Sequence, residues 1–212
     1  MADDQTFALG PFRVYRIREP KGRRLLQLIV GLVTFGASVG LGLEAMLGVS
    51  PWTVFHDGVS QRLPLSIGVV TLLVGLAVLM IFPIIDEPIG IGTILNILVI
   101  GPAVDLTLLV IPDLTNIAVR VVALGLTPVG IGLGSGLYIG ASLGPGPRDG
   151  LMTALKRRGV AVWVARTGIE ATALVIGALL GGDLSWGTLW IAGSIGFFVQ
   201  YFLVRLSVPD SE

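Results

Sequence analysis

The side chains best suited to chemistry in this chain are polar groups that lie inside long apolar stretches. Among them are Asp105, Gln200, Arg166 and Glu170, and the last two lie four residues apart, so they share a helix face and can form an ion pair. Hydrocarbon does not solvate ionisable groups, which makes such residues candidates for binding a substrate or ion, or for a structural clasp between helices. Asp105 has no partner in its own segment, so it can either accept a proton or pair with Arg166.

A further candidate, Glu44, lies on a ridge of glycines. Small residues recur every four positions in two apolar segments, at Gly36, Gly40 and Gly48 around Glu44, and at Gly132, Gly136, Gly140 and Gly144. Such ridges are typical of tight helix–helix contacts. A carboxylate on a ridge is costly unless it faces water, a partner or a substrate. Because Glu44 is near the end of its segment, its side chain can instead reach the membrane interface.

A proline-rich loop carries two more candidates, Arg148 and Asp149. The segment 144–150 contains two prolines, which stop a helix, and an aspartate, which can cap the next one. We therefore expect an amphipathic helix over about 150–158 with Asp149 as its cap. The N–H groups at the start of this helix, together with Arg148, form a plausible site for an anion.

The same helix ends in three bases, Lys156, Arg157 and Arg158, which suit the headgroups of anionic lipids. Its loop, 144–158, has a counterpart at 48–62. Both loops either lie flat at the membrane interface or turn inward, like the broken helices that line substrate sites in transporters. Hydropathy does not distinguish the two arrangements.

Composition places all these residues in a membrane. The chain has 212 residues, of which 53% are hydrophobic and 13% charged, with a mean hydropathy of +0.89, whereas soluble domains carry about 25% charged residues. Apolar segments of roughly 20 residues can cross about 30 Å of hydrocarbon as helices. We predict six transmembrane helices, at residues 25–47, 66–85, 90–111, 117–142, 160–181 and 187–207.

The distribution of bases predicts the orientation of these helices. The tail at 1–24 carries six basic residues, others cluster between the fourth and fifth predicted spans, and Arg205 lies at the C-terminal end of the sixth. By the positive-inside rule these regions are cytoplasmic, so both termini lie inside, as an even number of spans requires. The prediction is a multi-pass protein of a bacterial cytoplasmic (inner) membrane, with a basic cytoplasmic tail at 1–24 and a short cytoplasmic end at 208–212.

The two halves of the chain share a pattern at an offset of 96 residues. The motif Gly-x-x-Pro that ends in Pro51 recurs with Pro147, and Arg24 and Arg120, each just before an apolar segment, lie at the same offset. Such self-similarity indicates a duplication. A three-span unit repeated in tandem inserts its second copy upside down. We therefore predict an all-α membrane protein whose six helices form two inverted three-helix repeats, at 25–111 and 112–207.

Several function classes receive no support. The chain has no cysteine and one histidine, His56, so neither a thiolate metal site nor a histidine cluster is expected. The Gly-rich stretch 130–136 lies within a predicted span and no Walker lysine follows it, so it is not a phosphate-binding loop. We expect no enzymatic activity, no cofactor, no metal and no nucleic-acid partner.

Three stretches resemble a known group of bacterial membrane proteins. They are Leu137–Met152 with its Gly-Pro-Gly-Pro-Arg-Asp-Gly core, Arg166–Glu170, and Gly90–Thr93; Ser50-Pro51-Trp52 belongs with them. On these motifs the chain resembles the YczE group, within the wider YczE/YyaS/YitT-type set, from about residue 25 onward. The resemblance implies a polytopic cytoplasmic-membrane protein. It draws attention to Arg148, Asp149, Arg166 and Glu170 without supplying a mechanism.

The leading functional hypothesis is a small secondary transporter or exporter with its site between the two halves. Asp105 or Glu44 would respond to protons, and Arg148 or Arg166 would hold an anionic group of the solute. One alternative is a non-transporting scaffold or substrate-binding subunit of a larger complex. Another is a lipid-binding protein that uses the bases at 156–158. The expected partners are the lipid bilayer, anionic lipid, and either a second copy of this chain or another membrane protein.

Overall fold

The computed structural model describes residues 6–9, 12–15 and 21–208. Its membrane part is helical, as predicted, and a short two-stranded antiparallel hairpin in the tail adds the strands β1 and β2. The elements in chain order are β1 Thr6–Leu9, β2 Phe12–Tyr15, α1 Lys21–Ala45, α2 Pro51–Arg62, α3 Ile67–Leu79, α4 Phe82–Ile85, α5 Ile91–Val110, α6 Ile117–Gly140, α7 Pro147–Arg157, α8 Val162–Leu180 and α9 Trp186–Leu206.

Four of the described helices, α1, α5, α6 and α9, are long and apolar enough to cross a membrane. The pair α2 and α3, bent by 111° at the break between them, counts as a fifth span if its two helices are taken together. Among the described residues, four or five of the six predicted spans are found. The predicted span 66–85 is divided between α3 and α4, and α3 alone is too short to reach across about 30 Å of hydrocarbon. In the predicted span 160–181, the described apolar stretch runs over Thr167–Leu180 of α8.

Helices α1 and α6 cross at the centre of the bundle, with α5 packed on α1 and α9 packed on α6. A Cβ atom on Gly134 would lie 2.6 Å from the backbone nitrogen of Phe35, so the α1–α6 crossing requires glycine there. The predicted glycine ridges face the outer neighbours. Gly36 lies against Ala103 of α5, and Gly132 lies against Phe198 of α9. Their predicted role in tight helix contacts is confirmed.

The turns that follow α1 and α6 have the same construction. Gly48 and Gly144 have φ values of +136° and +110°, a region that side chains with a Cβ rarely adopt. Each turn leads to a proline in the first turn of the next helix, Pro51 in α2 and Pro147 in α7, where proline is tolerated because no N–H is needed. Both turns therefore direct the chain back toward the bundle.

Each turn docks on the helix start of the other half. The Leu47 carbonyl accepts a hydrogen bond of 2.9 Å from the Gly187 N–H near the start of α9. The Leu143 carbonyl accepts one of 2.8 Å from the Gly92 N–H near the start of α5. These reciprocal contacts fix where α2 and α7 begin.

Candidate functional site

The first turns of α2 and α7 meet in a cavity of about 100 Å³ inside the bundle. Its other walls come from α1, α3, α5 and α6, with Phe35 near the middle of α1 and Ile100 near the middle of α5. Both interrupted loops thus turn inward rather than lying flat. Two helix starts therefore face this cavity. The N–H groups in the first turn of a helix have no partner within that helix, so each start can donate hydrogen bonds and carries partial positive charge.

Helix α2 presents two unpaired polar atoms to the cavity. Ser50 caps the helix, and its hydroxyl accepts a hydrogen bond of 3.3 Å from the Thr53 N–H. Trp52 and His56 follow one helical turn apart on the cavity side. Their Nε1 and Nε2 atoms are buried, and neither has a hydrogen-bond partner within the described part of the protein.

The hydrogen bonds of Thr71 indicate what His56 offers to a ligand. The Thr71 hydroxyl donates to the Ile67 carbonyl at 2.8 Å and lies 3.1 Å from His56 Nδ1. A hydroxyl has one proton to donate, so its oxygen accepts from Nδ1–H, and the neutral ring leaves Nε2 as an acceptor. The indole nitrogen of Trp52 is a donor only. The cavity therefore offers one unpaired donor and one unpaired acceptor on the same helix.

Helix α7 brings Arg148 and Asp149 to the opposite side of the cavity. The Arg148 Nε atom lies 3.8 Å from a carboxylate oxygen of Asp149, and the Tyr138 hydroxyl of α6 donates a hydrogen bond to the other oxygen. The prediction that Asp149 caps a helix starting near 150 is wrong. The helix starts at Pro147, which places Asp149 inside its first turn, where a carboxylate is favoured by the helix dipole. Glu170 of α8 lines a small adjoining gap with Arg148 and Asp149.

Charged side chains and helix starts both act on the cavity. Arg148 lies 3.8 Å from Asp149, and Glu170 in the adjoining gap also acts electrostatically on Arg148. Each helix start carries roughly half a positive elementary charge, so α2 and α7 together contribute about one. The two helix starts therefore supply positive potential in addition to that of Arg148.

Asp105 lies outside the cavity and has partners of its own. The Ser66 hydroxyl donates to one carboxylate oxygen at 2.5 Å, and the Gly68 N–H donates to the other at 2.9 Å. This carboxylate therefore anchors the start of α3 to α5. The tight approach needs Gly68, since a Cβ there would clash with the carboxylate. Proton binding by Asp105 stays a prediction.

The remaining predicted site residues are dispersed. Glu44 is half-buried near the end of α1 and does not line the cavity. Gln200 is exposed on α9. Arg166 belongs to α8, but its side chain lies outside the described residues, so neither its pairing with Glu170 nor that with Asp105 is tested.

The basic end of α7 is engaged within the protein. Arg157 forms an ion pair of 2.5 Å with Glu87, and it also donates to the Asp86 carbonyl at 2.8 Å. Burial raises the pKa of Glu87, an effect partly offset by hydrogen bonds from Thr153 and Arg157. Arg157 is thus tied to the connection between α4 and α5. Arg158 is exposed, and the side chain of Lys156, the third predicted lipid ligand, lies outside the described residues.

The cavity residues Trp52, His56, Asn96 and Tyr138 were not among the predicted site residues. The signal that could have found the first two was the matched proline turn. Once Pro147 marks Arg148 and Asp149 as candidates, Pro51 marks the polar residues that follow it by the same reasoning. Asn96 carries the signal of a polar residue inside an apolar segment, whereas Tyr138 reaches the cavity from α6 without a local pattern that indicates it.

Comparison with known proteins assigns the chain to a family. Residues 22–204 match a family of unknown function, DUF6198. A protein of Haemophilus influenzae is 34% identical over 83% of this chain and 81% of its own length. The Bacillus subtilis membrane protein YczE is 32% identical over 85% of this chain and 83% of its own. YyaS of the same bacterium is 25% identical over 82% and 89%.

No solved structure matches the chain. The resemblance drawn from the Gly-Pro-Gly-Pro-Arg-Asp-Gly motif is confirmed by the match to YczE, because the aligned region covers most of both proteins. The family match likewise extends from the start of α1 nearly to the end of α9. This chain is a membrane protein of the YczE-like family, DUF6198.

Proposed function

We propose that the protein is a secondary transporter that moves a small, singly charged acidic solute across the bacterial inner membrane, with both termini cytoplasmic and without a chemical step. The solute site is the cavity between α2 and α7. One observation carries the proposal: two helix starts, each created by a glycine–proline turn, meet at one cavity beside the central helix pair, where a mainly apolar wall holds a few polar groups. Broken helices whose starts face a buried site are a recurring device for anionic substrates.

Inverted repeats at 25–111 and 112–207 form part of this proposal. Supporting it, contacts between the halves are reciprocal at the offset seen in the sequence. Arg24 donates to the Ala141 carbonyl at 3.0 Å, and Arg120 donates to the Ala45 carbonyl at 2.7 Å. Both the arginines and the carbonyls lie 96 residues apart. Two halves that exchange equivalent contacts can rock against each other about a fixed site, which is the basis of alternating access.

The size of the cavity restricts the solute. At about 30 Å³ per water molecule, the volume of about 100 Å³ holds the equivalent of three waters. Pockets for drug-sized ligands measure about 300–1,000 Å³. The solute group that enters is therefore small, such as a carboxylate or a phosphate.

The polar atoms restrict its chemistry further. The indole N–H of Trp52 needs an acceptor, whereas His56 Nε2 needs a donor. Arg148 lines the same cavity and can add a charge-assisted hydrogen bond to an anion. A small acid that bears a hydroxyl satisfies both, and so does inorganic phosphate as its dihydrogen monoanion. A solute without a donor leaves a buried acceptor unpaired, at a cost of about 1–3 kcal/mol.

The test is an electrical measurement on the purified protein in liposomes. Acetate, lactate and inorganic phosphate are applied in turn, and charge movement is recorded on a solid-supported membrane. We expect currents for at least one of these anions that are lost in Arg148→Gln and weakened in Trp52→Phe, which removes only the indole donor. Arg205→Gln and Trp190→Phe are matched controls, because both residues are exposed on α9. Equal currents in all four variants, or none in the parent for any of these anions, would contradict the proposal.

The second candidate is a subunit that works with another membrane protein or a second copy. It is favoured by Gln200, which is exposed on α9 beside the exposed rings of Phe197 and Tyr201. A polar side chain facing lipid is costly unless a neighbouring helix pairs with it. Cross-linking through cysteine introduced at Gln200, with Arg205→Cys, about 140° round the same helix, as control, distinguishes a partner at this face from lipid.

A further inference from the structure

A large apolar groove lies between α2, α7 and α8. Its volume is about 540 Å³, and its walls are almost entirely hydrocarbon. We call it the α8 groove; its walls include Trp52, Phe55, Leu151, Gly168 and Ile176. Val164 and Ile176 of α8 also line the groove and are more than 40% exposed, so the groove opens toward the lipid.

The groove exists because α8 departs from the packing of its counterpart. In the first half α3 packs closely on α5, whereas within the described residues α8 packs on α2 and α7 and makes no comparable contact with α9. The gap that results is lined mainly by hydrocarbon side chains, with Trp52 and Thr172 as its polar members. In a bilayer such a gap is filled by hydrocarbon.

The groove and the cavity are neighbours, since Trp52 lines both. On α7, Leu151 of the groove follows Asp149 of the cavity by two residues. The groove therefore lies within reach of the tail of a molecule whose acidic head is in the cavity.

We propose that the substrate is a single-chain amphiphile whose acidic head binds beside Arg148 and whose hydrocarbon chain lies in the α8 groove. This inference rests on the site of the proposed function and names its substrate class. Lipid tails are as apolar as the groove walls, so the chain gains little by leaving the bilayer. The head must therefore supply the selectivity, and the groove supplies a path to it from within the membrane.

The experiment uses Trp52 as the reporter. Trp163, Trp186 and Trp190 are replaced by phenylalanine, and the full-length protein is placed in phosphatidylcholine nanodiscs. It is titrated with 2-bromododecanoic acid, whose bromine lies next to the head and quenches a nearby indole. We expect saturable quenching of Trp52. Arg148→Gln should raise the half-saturating concentration about tenfold, because one charge-assisted hydrogen bond to the head is lost.

Two glycine variants test the groove itself. Gly168 lines it, and a Cβ there meets no atom within 4 Å, so Gly168→Leu fills the groove without a clash in the protein. Gly193→Leu on α9 is the matched control, because Gly193 is equally open and lies outside the groove. We expect the saturable quenching to be lost in Gly168→Leu and kept in Gly193→Leu. Linear quenching that is the same in the parent and in Gly168→Leu would show partition into lipid and overturn the inference.

The outcome is separable from that of the proposed function. Currents for a small anion, without saturable quenching by the bromoacid, would leave the transport site standing and refute the amphiphile. Saturable quenching that depends on Gly168, in a protein that carries no current for any anion, would support the amphiphile and refute small-solute transport.

Discussion

Replacing Arg157 by leucine should destabilise the protein in a manner that depends on pH. Arg157 holds the carboxylate of Glu87, whose side chain is 1% exposed, at 2.5 Å. The pair ties the end of α7 to the α4–α5 connection, and so helps to set the position of the cavity at the other end of α7. In the variant, Glu87 keeps its hydrogen bond from Thr153 at 2.7 Å but loses its cation.

The size of the effect follows from two limits. Removing one partner of a buried ion pair costs about 3–5 kcal/mol, but Arg157 is 45% exposed, and solvent screens its charge. Glu87 can also escape by binding a proton. From its ordinary pKa of 4.5, protonation at pH 7 costs at most about 3.4 kcal/mol, at about 1.36 kcal/mol per pH unit. Burial raises the pKa of Glu87, so the cost is lower; we expect a loss of about 1–2 kcal/mol.

The sign of the pH dependence is fixed by the direction of this pKa. Because the pKa is raised, the folded protein binds the Glu87 proton more tightly than the unfolded chain does. The loss in the variant is therefore smallest below the unfolded pKa of 4.5 and grows as pH rises through the folded pKa. At neutral pH it corresponds to a fall of about 2–8 °C in melting temperature.

The assay is thermal unfolding in detergent, followed by tryptophan fluorescence at pH 5, 6.5 and 8. Arg158→Leu serves as the control, because Arg158 is the exposed neighbour at the same end of α7. A deficit of equal size at all three pH values, or an equal deficit in the control, would refute the assignment of the effect to the Glu87 carboxylate.

Three further predictions concern the frame around the cavity. Gly134→Ala should lower the melting temperature, because its Cβ would lie 2.6 Å from the Phe35 nitrogen. Gly125→Ala on the same helix is the control: its Cβ meets nothing within 4 Å, so the change should be neutral or stabilising by up to about 1 kcal/mol. Asp105→Ala should cost about 1–2 kcal/mol in denaturant unfolding, because the Ser66 hydroxyl and the Gly68 N–H at the start of α3 lose their acceptor. An unchanged midpoint would count against this anchoring role. Thr93→Val should cost about 1–3 kcal/mol, because the Pro145 carbonyl, 2.7 Å from the Thr93 hydroxyl, is left unpaired; hydrogen exchange at 144–148 should then increase.

The proline turns illustrate how far sequence reasoning reaches into the site. Pro147 and the residues after it predicted a helix start with Arg148 and Asp149, and the structure places both at the cavity. The boundary was wrong by three residues, because aspartate is favoured both as a cap and within the first turn, and composition does not separate these positions. Whether the loop turned inward was undecided, since an amphipathic helix satisfies either environment.

Asp105 and Arg157 show where local patterns fail. Asp105 has no partner in its own segment, and Arg157 is one of the bases predicted to meet lipid headgroups. Both have partners from other elements, Ser66 and Gly68 for Asp105 and Glu87 for Arg157. A helix reveals only neighbours three or four residues away. Contacts across a bundle depend on how the helices are placed.

The sequence by itself determined that the chain belongs in a membrane, roughly where its four long helices lie, and that its glycine ridges pack. These follow from hydropathy and from small-residue spacing, which act locally along the chain. Only the tertiary structure decided that α2 and α7 start at one cavity, that Trp52 and His56 present buried, unpaired nitrogens there, and that α8 leaves a groove beside them. Those features arise from the mutual placement of segments far apart in sequence, which is set by packing across the whole bundle.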